Sequence, residues 1–327
     1  MLQLALFITS VAWVLLSQAL ASRAASGISI TFNLGAGRFL LSALFFLFLL
    51  GVGFAILQAI SLGPVSTREM LGLPRRSTSR REWAIGAAIG WGGVAVAVLP
   101  MALAGTLQVQ FWTEPRAFSL AILNLLTLAV AALAEEVAFR GYPYRRLIEA
   151  TGPVKATIIM AAFFGLLHML NPDATWTSTL ITMLAGVMLS IAWLRTHGLW
   201  LAWGLHFAWN ASMGVLFGLP VSGIDKFSSV VQTRAIGRAS LTGGDYGPEA
   251  AVFTALVVVA CIAVLVRVTR DYAWHYTYVP ATPGGYPVEA QPPAAHTAME
   301  QQARPAPLVQ ILPTTPQNPS AGDEPKA

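Results

Sequence analysis

Two adjacent carboxylates, Glu135 and Glu136, end an apolar run that carries no charged residue from Ala117 to Ala134. A charge near the centre of a membrane helix costs on the order of 3 kcal/mol on insertion scales, so an acidic pair there indicates a functional site. On a helix, Glu136 and Arg140 stand four residues apart on one face and can form an ion pair. Glu135 projects about 100° away and is left without that partner. An interfacial ion pair, the alternative, does not explain Glu135.

Two other apolar segments carry histidines. His168 follows Phe164 by four residues near the end of one segment, and His206 precedes Asn210 by four residues on another. Residues four apart share a helix face, so His206 and Asn210 point the same way. A carboxylate, a histidine and a water in a low-dielectric cavity form a general base, and a second histidine with an amide offers donors to an oxyanion. These groups are typical of peptide hydrolysis by an activated water.

The predicted turns place these groups at one depth in the membrane. Glu135 lies seventeen residues before Gly152, and His168 lies sixteen after it, so an antiparallel hairpin that turns at Thr151-Gly152-Pro153 brings them level. We expect Glu135 about 15 Å from the membrane interface, and His206, eight residues beyond Gly198, about 12 Å from it. A buried polar group without a role is costly, so the matching depths favour one shared site.

The composition is that of a polytopic membrane protein. Of the 327 residues, 55% are hydrophobic and 11% are charged, and the mean hydropathy is +0.62, whereas soluble domains have roughly 25% charged residues. Eight apolar stretches are long enough, or nearly so, to cross a bilayer. They lie near residues 2–22, 39–61, 84–105, 117–139, 154–171, 175–194, 199–219 and 250–266. The first also resembles a signal peptide at Ala19-Leu20-Ala21, but it lacks a positive start, and we favour a retained helix.

The basic residues predict the orientation. With eight crossings, fourteen Lys or Arg residues fall on one side and six on the other, which places both termini in the cytoplasm. We expect a bacterial inner-membrane protein, since the loops are short. The net charge of +5 then reflects topology and contact with the lipid bilayer, and not nucleic-acid binding.

The remaining segments are expected to have structural roles. Glycines 86, 90, 92 and 93 predict close helix packing, and Pro143 predicts a kink in the helix after Arg140. Residues 221–249 are expected to form an external loop, and Cys261 to be an apolar filler. His197, His275 and His296 are interpreted as solvated. The predicted helical bundle covers residues 1–270, and residues 271–327, with eleven of the twenty prolines, are expected to be disordered.

The three motifs together resemble those of a known family. Glu135-Glu136-x-x-x-Arg140, Phe164-x-x-x-His168 and His206-x-x-x-Asn210 are similar to the signatures of the CPBP intramembrane proteases, the CAAX protease and bacteriocin-processing family, which includes the type II CAAX prenyl endopeptidases. The resemblance spans roughly residues 83–210, with a protease core at about 83–220. It implies an all-α bundle of about eight transmembrane helices and a catalytic cavity that faces the cytoplasm.

The resemblance also implies roles for individual residues. Glu135 and His168 would activate the water, and His206 and Asn210 would stabilise the oxyanion. Glu136, Arg140 and Phe164 would support the site. At Tyr142-Pro143-Tyr144 the sequence departs from the aliphatic helix that is more usual in the family. This departure affects the expected shape of the cavity mouth. Glu135, His168 and His206 could alternatively bind zinc, but the spacing typical of zinc proteases is absent, and the resemblance favours a mechanism without metal or cofactor.

The leading hypothesis is therefore an endopeptidase that cleaves a membrane-associated peptide or a lipidated protein, prenylated or not. Two alternatives remain open. A non-catalytic scaffold or a peptide or bacteriocin immunity protein could use the same fold, although a scaffold gains nothing from a buried carboxylate. A transporter or proton relay would also place Glu, His and Arg in a bundle, but it is expected to show inverted repeats, and no repeat is visible.

Overall fold

The structure, a computed structural model, describes residues 1–61 and 67–270. The expectations for the proline-rich tail, His275 and His296 lie outside the described residues. The helices in chain order are α1 (Leu2–Phe32), α2 (Gly37–Ile60), α3 (Thr67–Met70), α4 (Ser79–Leu103), α5 (Pro115–Arg140), α6 (Tyr142–Thr151), α7 (Pro153–His168), α8 (Trp176–Thr196), α9 (Trp200–Ala211), α10 (Ala239–Thr242) and α11 (Val252–Val268). Strands β1 (Leu107–Phe111) and β2 (Val231–Ala235) pair in antiparallel fashion.

The chain is an all-α polytopic membrane protein with one small two-stranded sheet. Within the described residues, five helical segments are long and apolar enough to cross a membrane, and α7 and α11 are shorter apolar helices. Each of the eight apolar stretches contains a helix, while the count of eight spans stays a prediction. Large apolar side chains such as Phe48 and Ile56 are more than half exposed, which fits a surface that faces lipid.

Helices α1 and α2 form one wall of the bundle. The buried residues of α1 recur every three or four positions, which is the period of one helix face; they are Leu6, Ser10, Val14, Ser17, Ala21 and Ala25. Trp13 donates its indole N–H to the carbonyl of Leu49 at 2.9 Å. Gly53 lets this ring lie against α2, because a Cβ there would overlap the indole.

Glycines of α4 allow α9, which carries His206 and Asn210, to pack directly against α4. A Cβ on Gly86 would overlap the carbonyl oxygen of Leu201, and one on Gly90 would overlap that of Leu205. Small residues allow helix backbones to approach closely in lipid, so the expected packing role is confirmed for these glycines. Gly92 differs, because a Cβ there meets nothing within 4 Å.

The break after the acidic motif lies at Gly141, and the expected kink at Pro143 is wrong. Gly141 has φ −80° and ψ −128°, which end α5, and its N–H donates to Val137 at 3.1 Å. Pro143 then occupies the first turn of α6, where its missing N–H costs nothing. Tyr142 and Tyr144 are fully buried in this short helix, away from the cavity described below.

Two tight turns complete the hairpins. Gly152 has φ 83° and Pro153 begins α7, as predicted. His197 adopts the left-handed conformation with φ 46° after α8. It is half-buried and its ring stacks on Trp193 at 5.2 Å, so the expectation of a solvated side chain is wrong. Burial, with Arg76 and Arg145 nearby, lowers the pKa of His197 to about 4.

The expected external loop between α9 and α11 contains defined structure. Strand β2 pairs with β1, with Gln108 opposite Arg234 and Val109 opposite Thr233. Apolar and polar residues alternate with the period of two that is typical of a strand in Leu107-Gln108-Val109-Gln110-Phe111. This alternation is the sequence signal that could have predicted β1. Further along, the N–H of Gly223 donates to the carbonyl of Tyr246, so the segment folds back on itself.

Candidate active site

A cavity of about 700 Å³ opens between the helices at the level of the acidic motif. Seven helices contribute to its walls, through residues that include Val14, Phe46, Glu135, His168, Met188, His206 and Val258. Asn210 and Phe164 also line it. The structure therefore brings together the four residues that sequence spacing placed at one depth. Glu136 and Arg140 lie behind the cavity wall and are fully buried.

Glu135 is the acidic residue that the cavity exposes. Its side chain is 35% exposed, whereas that of Glu136 is 0% exposed. Oε2 of Glu135 lies 3.7 Å from Nε2 of His206, which is too long for a direct hydrogen bond and suits a bridging oxygen. The Glu135 carboxylate makes no hydrogen bond to another described residue, so it can bind a water.

His168 ends α7 and offers one ring nitrogen to the cavity. Its Nδ1 lies 2.7 Å from the carbonyl oxygen of Phe164. A carbonyl only accepts, so Nδ1 carries the proton and Nε2 of the neutral ring is an acceptor. The ring also packs on that of Phe164, with centroids 4.4 Å apart. The helix itself thus fixes both the tautomer and the orientation of His168.

His206 joins the acidic pair to α9. Its Nδ1 lies 2.7 Å from Oε1 of Glu136, while Nε2 faces Glu135. Arg140 donates to the same Oε1 of Glu136 at 3.2 Å, so the expected ion pair between these two residues is present. The buried carboxylate therefore holds both the guanidinium and the imidazole. Its Oε2 finds no partner within the described part of the chain.

Arg140 and Phe164 form the layer beneath these polar groups. The guanidinium of Arg140 donates to the carbonyl of Gly186 on α8 at 3.1 Å and lies 4.6 Å from the centre of the Phe164 ring. The Phe164 ring in turn meets His206 edge-on at 6.2 Å. Arg140 thus ties α5 to α8, and Phe164 packs between both histidines.

Asn210 lies one turn beyond His206, half-buried at the cavity wall. Its amide makes no hydrogen bond to a described residue and can donate into the cavity. Immediately afterwards the chain continues as a π-helix, Ser212–Leu216. Such segments are frequent at functional sites.

Sequence reasoning missed a polar group that reaches the cavity from the segment between α9 and α11. Glu249 accepts a hydrogen bond from the indole of Trp209 at 3.1 Å and one from the hydroxyl of Ser222 at 2.8 Å. Ser222 has φ 48°, the left-handed region that serine seldom adopts. Burial and the nearby Glu249 raise the pKa of Tyr246 to about 12, so this phenol stays neutral. No local motif marks Glu249, because its partners are distant in sequence.

The zinc alternative stays open. Within residues 1–61 and 67–270, no three His, Cys, Asp or Glu residues form a group that could hold a metal ion. Nδ1 of His168 and Nδ1 of His206 are engaged with Phe164 and Glu136, which leaves Nε2 of each ring free.

The region that contains this site is similar to a known protein family. Residues 117–212 match the family model for type II CAAX prenyl endopeptidases of the Rce1-like kind. This confirms the resemblance over a range that runs from α5 to the start of the π-helix and contains every predicted site residue. The Rce1-like match begins later than the expected start near Trp83. Neither the curated proteins nor the solved structures gave a match.

The Rce1-like match indicates a reaction class for this region of the chain. Residues 117–212 are similar to CAAX-type membrane proteases, which agrees with the apolar helices that surround the cavity. Hydrolysis of a peptide within a membrane requires a protected water and donors for an oxyanion. The polar groups of the cavity are of the kinds that meet these requirements.

Proposed function

We propose that the protein is an intramembrane endopeptidase that hydrolyses a membrane-associated peptide with a water activated by Glu135 and His168. One observation carries this proposal: Glu135, His168, His206 and Asn210 line a single cavity, and the carboxylate of Glu135 is exposed to it while that of Glu136 is buried. The Rce1-like match supports the reaction class.

The water is held between one carboxylate and one neutral imidazole. Glu135 accepts one proton of the water, and Nε2 of His168, fixed as an acceptor by the bond of Nδ1 to Phe164, orients the oxygen. The oxygen attacks the peptide carbonyl as its proton moves to Glu135, and Glu135 then returns this proton to the leaving amine. General base catalysis of this kind contributes roughly 10²–10⁴-fold to the rate.

The developing oxyanion is stabilised from α9. Both nitrogens of His206 face carboxylates, which favours the doubly protonated ring with two N–H donors. Its Nε2–H and the amide of Asn210 then donate to the oxyanion. Removal of one such donor typically costs about 10²–10³-fold in rate.

Glu136 and Arg140 act as positioning residues. The Glu136 carboxylate holds Nδ1 of His206, and the buried guanidinium of Arg140 balances its charge. Together with Glu135 and a protonated His206, the cluster has no net charge, which lowers the cost of placing it inside the membrane.

The substrate and the setting follow from the cavity and the charge distribution. The cavity walls on α1 and α2 are mostly apolar, at Val14, Leu15, Ala43 and Phe46, and suit the apolar part of a membrane peptide or of a lipidated protein. We infer a bacterial inner-membrane protein with both termini in the cytoplasm, since fourteen of the twenty basic residues fall on that side. The mechanism uses no cofactor.

The test is cleavage of quenched fluorescent peptides, prenylated and unprenylated, by the purified full chain. We expect cleavage of at least one peptide, resistance to a strong chelator, and loss of cleavage in Asn210→Leu and His168→Gln. Cleavage that a chelator abolishes and zinc restores would contradict the metal-free mechanism. Full activity in both variants would contradict the site. A wild type that cleaves no peptide, with a cellular phenotype that both variants retain, would favour the scaffold.

A further inference from the structure

A second cavity, of about 810 Å³, lies outside the active site beside the turn from α8 to α9. Arginine and tryptophan dominate its lining: Arg68, Arg75, Arg76, Arg80, Trp83, Trp200 and Trp203. None of the described residues that line it is acidic. We call this cavity the basic groove.

The tryptophans of the basic groove are held in place by the backbone. Trp200 donates its indole N–H to the carbonyl of Pro74, and Trp203 donates to that of Ala129, both at 2.9 Å. Trp83 packs against the ring of Trp203, with centroids 6.1 Å apart. These contacts fix the rings, so the groove is a preformed surface. Rings that are already fixed lose little conformational entropy when a ligand binds.

The arginines of the basic groove divide into two kinds. Arg68 and Arg76 bind the backbone. Arg68 donates to the carbonyl of Leu73, and Arg76 donates to the carbonyl oxygens of Thr196 and His197 at the end of α8 and pairs with Glu82. Arg75 and Arg80 are exposed and have no hydrogen bond or ion pair with any described residue. The positive-inside rule requires only that a loop carries basic residues. Here, in addition, two guanidinium groups without a partner among the described residues border a cavity with rigid aromatic walls.

His197 lies beside this groove, with Arg76 and Arg145 near it. Burial is the main cause that lowers its pKa to about 4, and the two arginines lower it further. An anion in the groove would therefore meet several positive charges, of which, among the described residues, only that of Arg76 is paired with a carboxylate, Glu82.

We propose that the basic groove binds the headgroup phosphate of an anionic phospholipid. Guanidinium groups match phosphate oxygens in geometry and charge, so Arg75 and Arg80 contact the phosphate. Tryptophan is enriched at membrane interfaces, and the indoles contact the glycerol and the first carbons of the acyl chains. A lipid is favoured over a soluble phosphate because the groove lies at the first turn of α4, a candidate membrane span.

The experiment measures binding to the detergent-purified full chain by its thermal stabilisation. The probes are dioctanoyl phosphatidylglycerol, dioctanoyl phosphatidylcholine and glycerol 3-phosphate. The variant Arg75→Gln/Arg80→Gln is compared with Arg267→Gln/Arg270→Gln, which removes the same charge. The control pair lies at the end of α11 on the same side, since Arg195 at the end of α8 donates to the carbonyl of Thr269. All four arginines are exposed, so both variants should fold.

We expect saturable binding of phosphatidylglycerol to the wild type and to the control pair, and at least tenfold weaker binding to Arg75→Gln/Arg80→Gln. Phosphatidylcholine should bind at least tenfold more weakly than phosphatidylglycerol. Equal losses in both variants would show diffuse attraction and overturn the proposal, as would equal affinity for both lipids. If glycerol 3-phosphate binds as tightly as phosphatidylglycerol, the groove recognises a soluble phosphate, and the lipid assignment is wrong.

Discussion

Nδ1 of His206 lies 2.7 Å from Oε1 of Glu136, although the two residues are seventy positions apart in the chain. This contact joins α9 to the acidic motif of α5 and turns Nε2 of His206 toward Glu135. The two acidic residues therefore have separate tasks: Glu135 faces the cavity, and Glu136 orients the histidine.

Glu136→Gln should damage both stability and activity. The charge of Arg140 would remain buried without its partner, and breaking a buried pair costs about 3–5 kcal/mol. The orientation of His206 would also be lost. We expect a lower melting temperature and a peptide cleavage rate reduced by at least tenfold. Glu149→Gln is the control, because the Glu149 side chain is 42% exposed and pairs with Arg146 at the surface; a similar loss there would contradict the assignment.

Gly90→Ala should displace α9 and with it His206. The new Cβ would overlap the carbonyl oxygen of Leu205, and overpacking of this kind costs about 1–3 kcal/mol. We expect a lower melting temperature and a lower cleavage rate. Gly92→Ala is the matched control, since its Cβ meets nothing within 4 Å. If both substitutions were equally mild, the close approach of α4 and α9 would be wrong.

Glu249→Ala should loosen the segment between α9 and α11 where it meets the cavity. The indole of Trp209 and the hydroxyl of Ser222 would lose their acceptor. We expect faster limited proteolysis within residues 217–251 and a modest loss of cleavage activity, because Trp209 adjoins Asn210. Asp245→Ala, at an exposed position of the same segment, should behave as the wild type. Unchanged proteolysis in Glu249→Ala would contradict the role of Glu249.

His197 should make stability depend on pH. Its pKa is about 4 in the folded protein and 6.5 for the unperturbed group, so the unfolded state binds more protons between these values. Stability is then greatest above about pH 6.5 and falls as the pH decreases toward 4. His197→Asn removes the titration, and asparagine tolerates the left-handed backbone. The melting temperature of the wild type should fall more than that of the variant; parallel curves would contradict this prediction.

Local sequence signals predicted depth and turns well. Gly152 and Pro153 mark the hairpin because glycine accepts positive φ and proline suits the first helical turn. Counting residues from such turns placed Glu135, His168 and His206 at one level, and all three line one cavity.

Rotation about the helix axes could not be predicted in the same way. Residue counting gives the depth of a side chain but not the direction that it faces relative to another helix. The contact of His206 with Glu136 therefore required the structure, since it depends on how the glycines of α4 seat α9. The break lies at Gly141 and not at Pro143, because a proline in the first turn does not disturb a helix.

The most direct test of the account compares Glu135→Gln with Glu136→Gln in one cleavage assay and one thermal unfolding measurement. Glu135 is 35% exposed and makes no hydrogen bond to a described residue, so Glu135→Gln should leave the melting temperature nearly unchanged. It should lower the cleavage rate by about 10²–10⁴-fold, whereas Glu136→Gln should lower both quantities. Cleavage by Glu135→Gln at the wild-type rate would contradict the account.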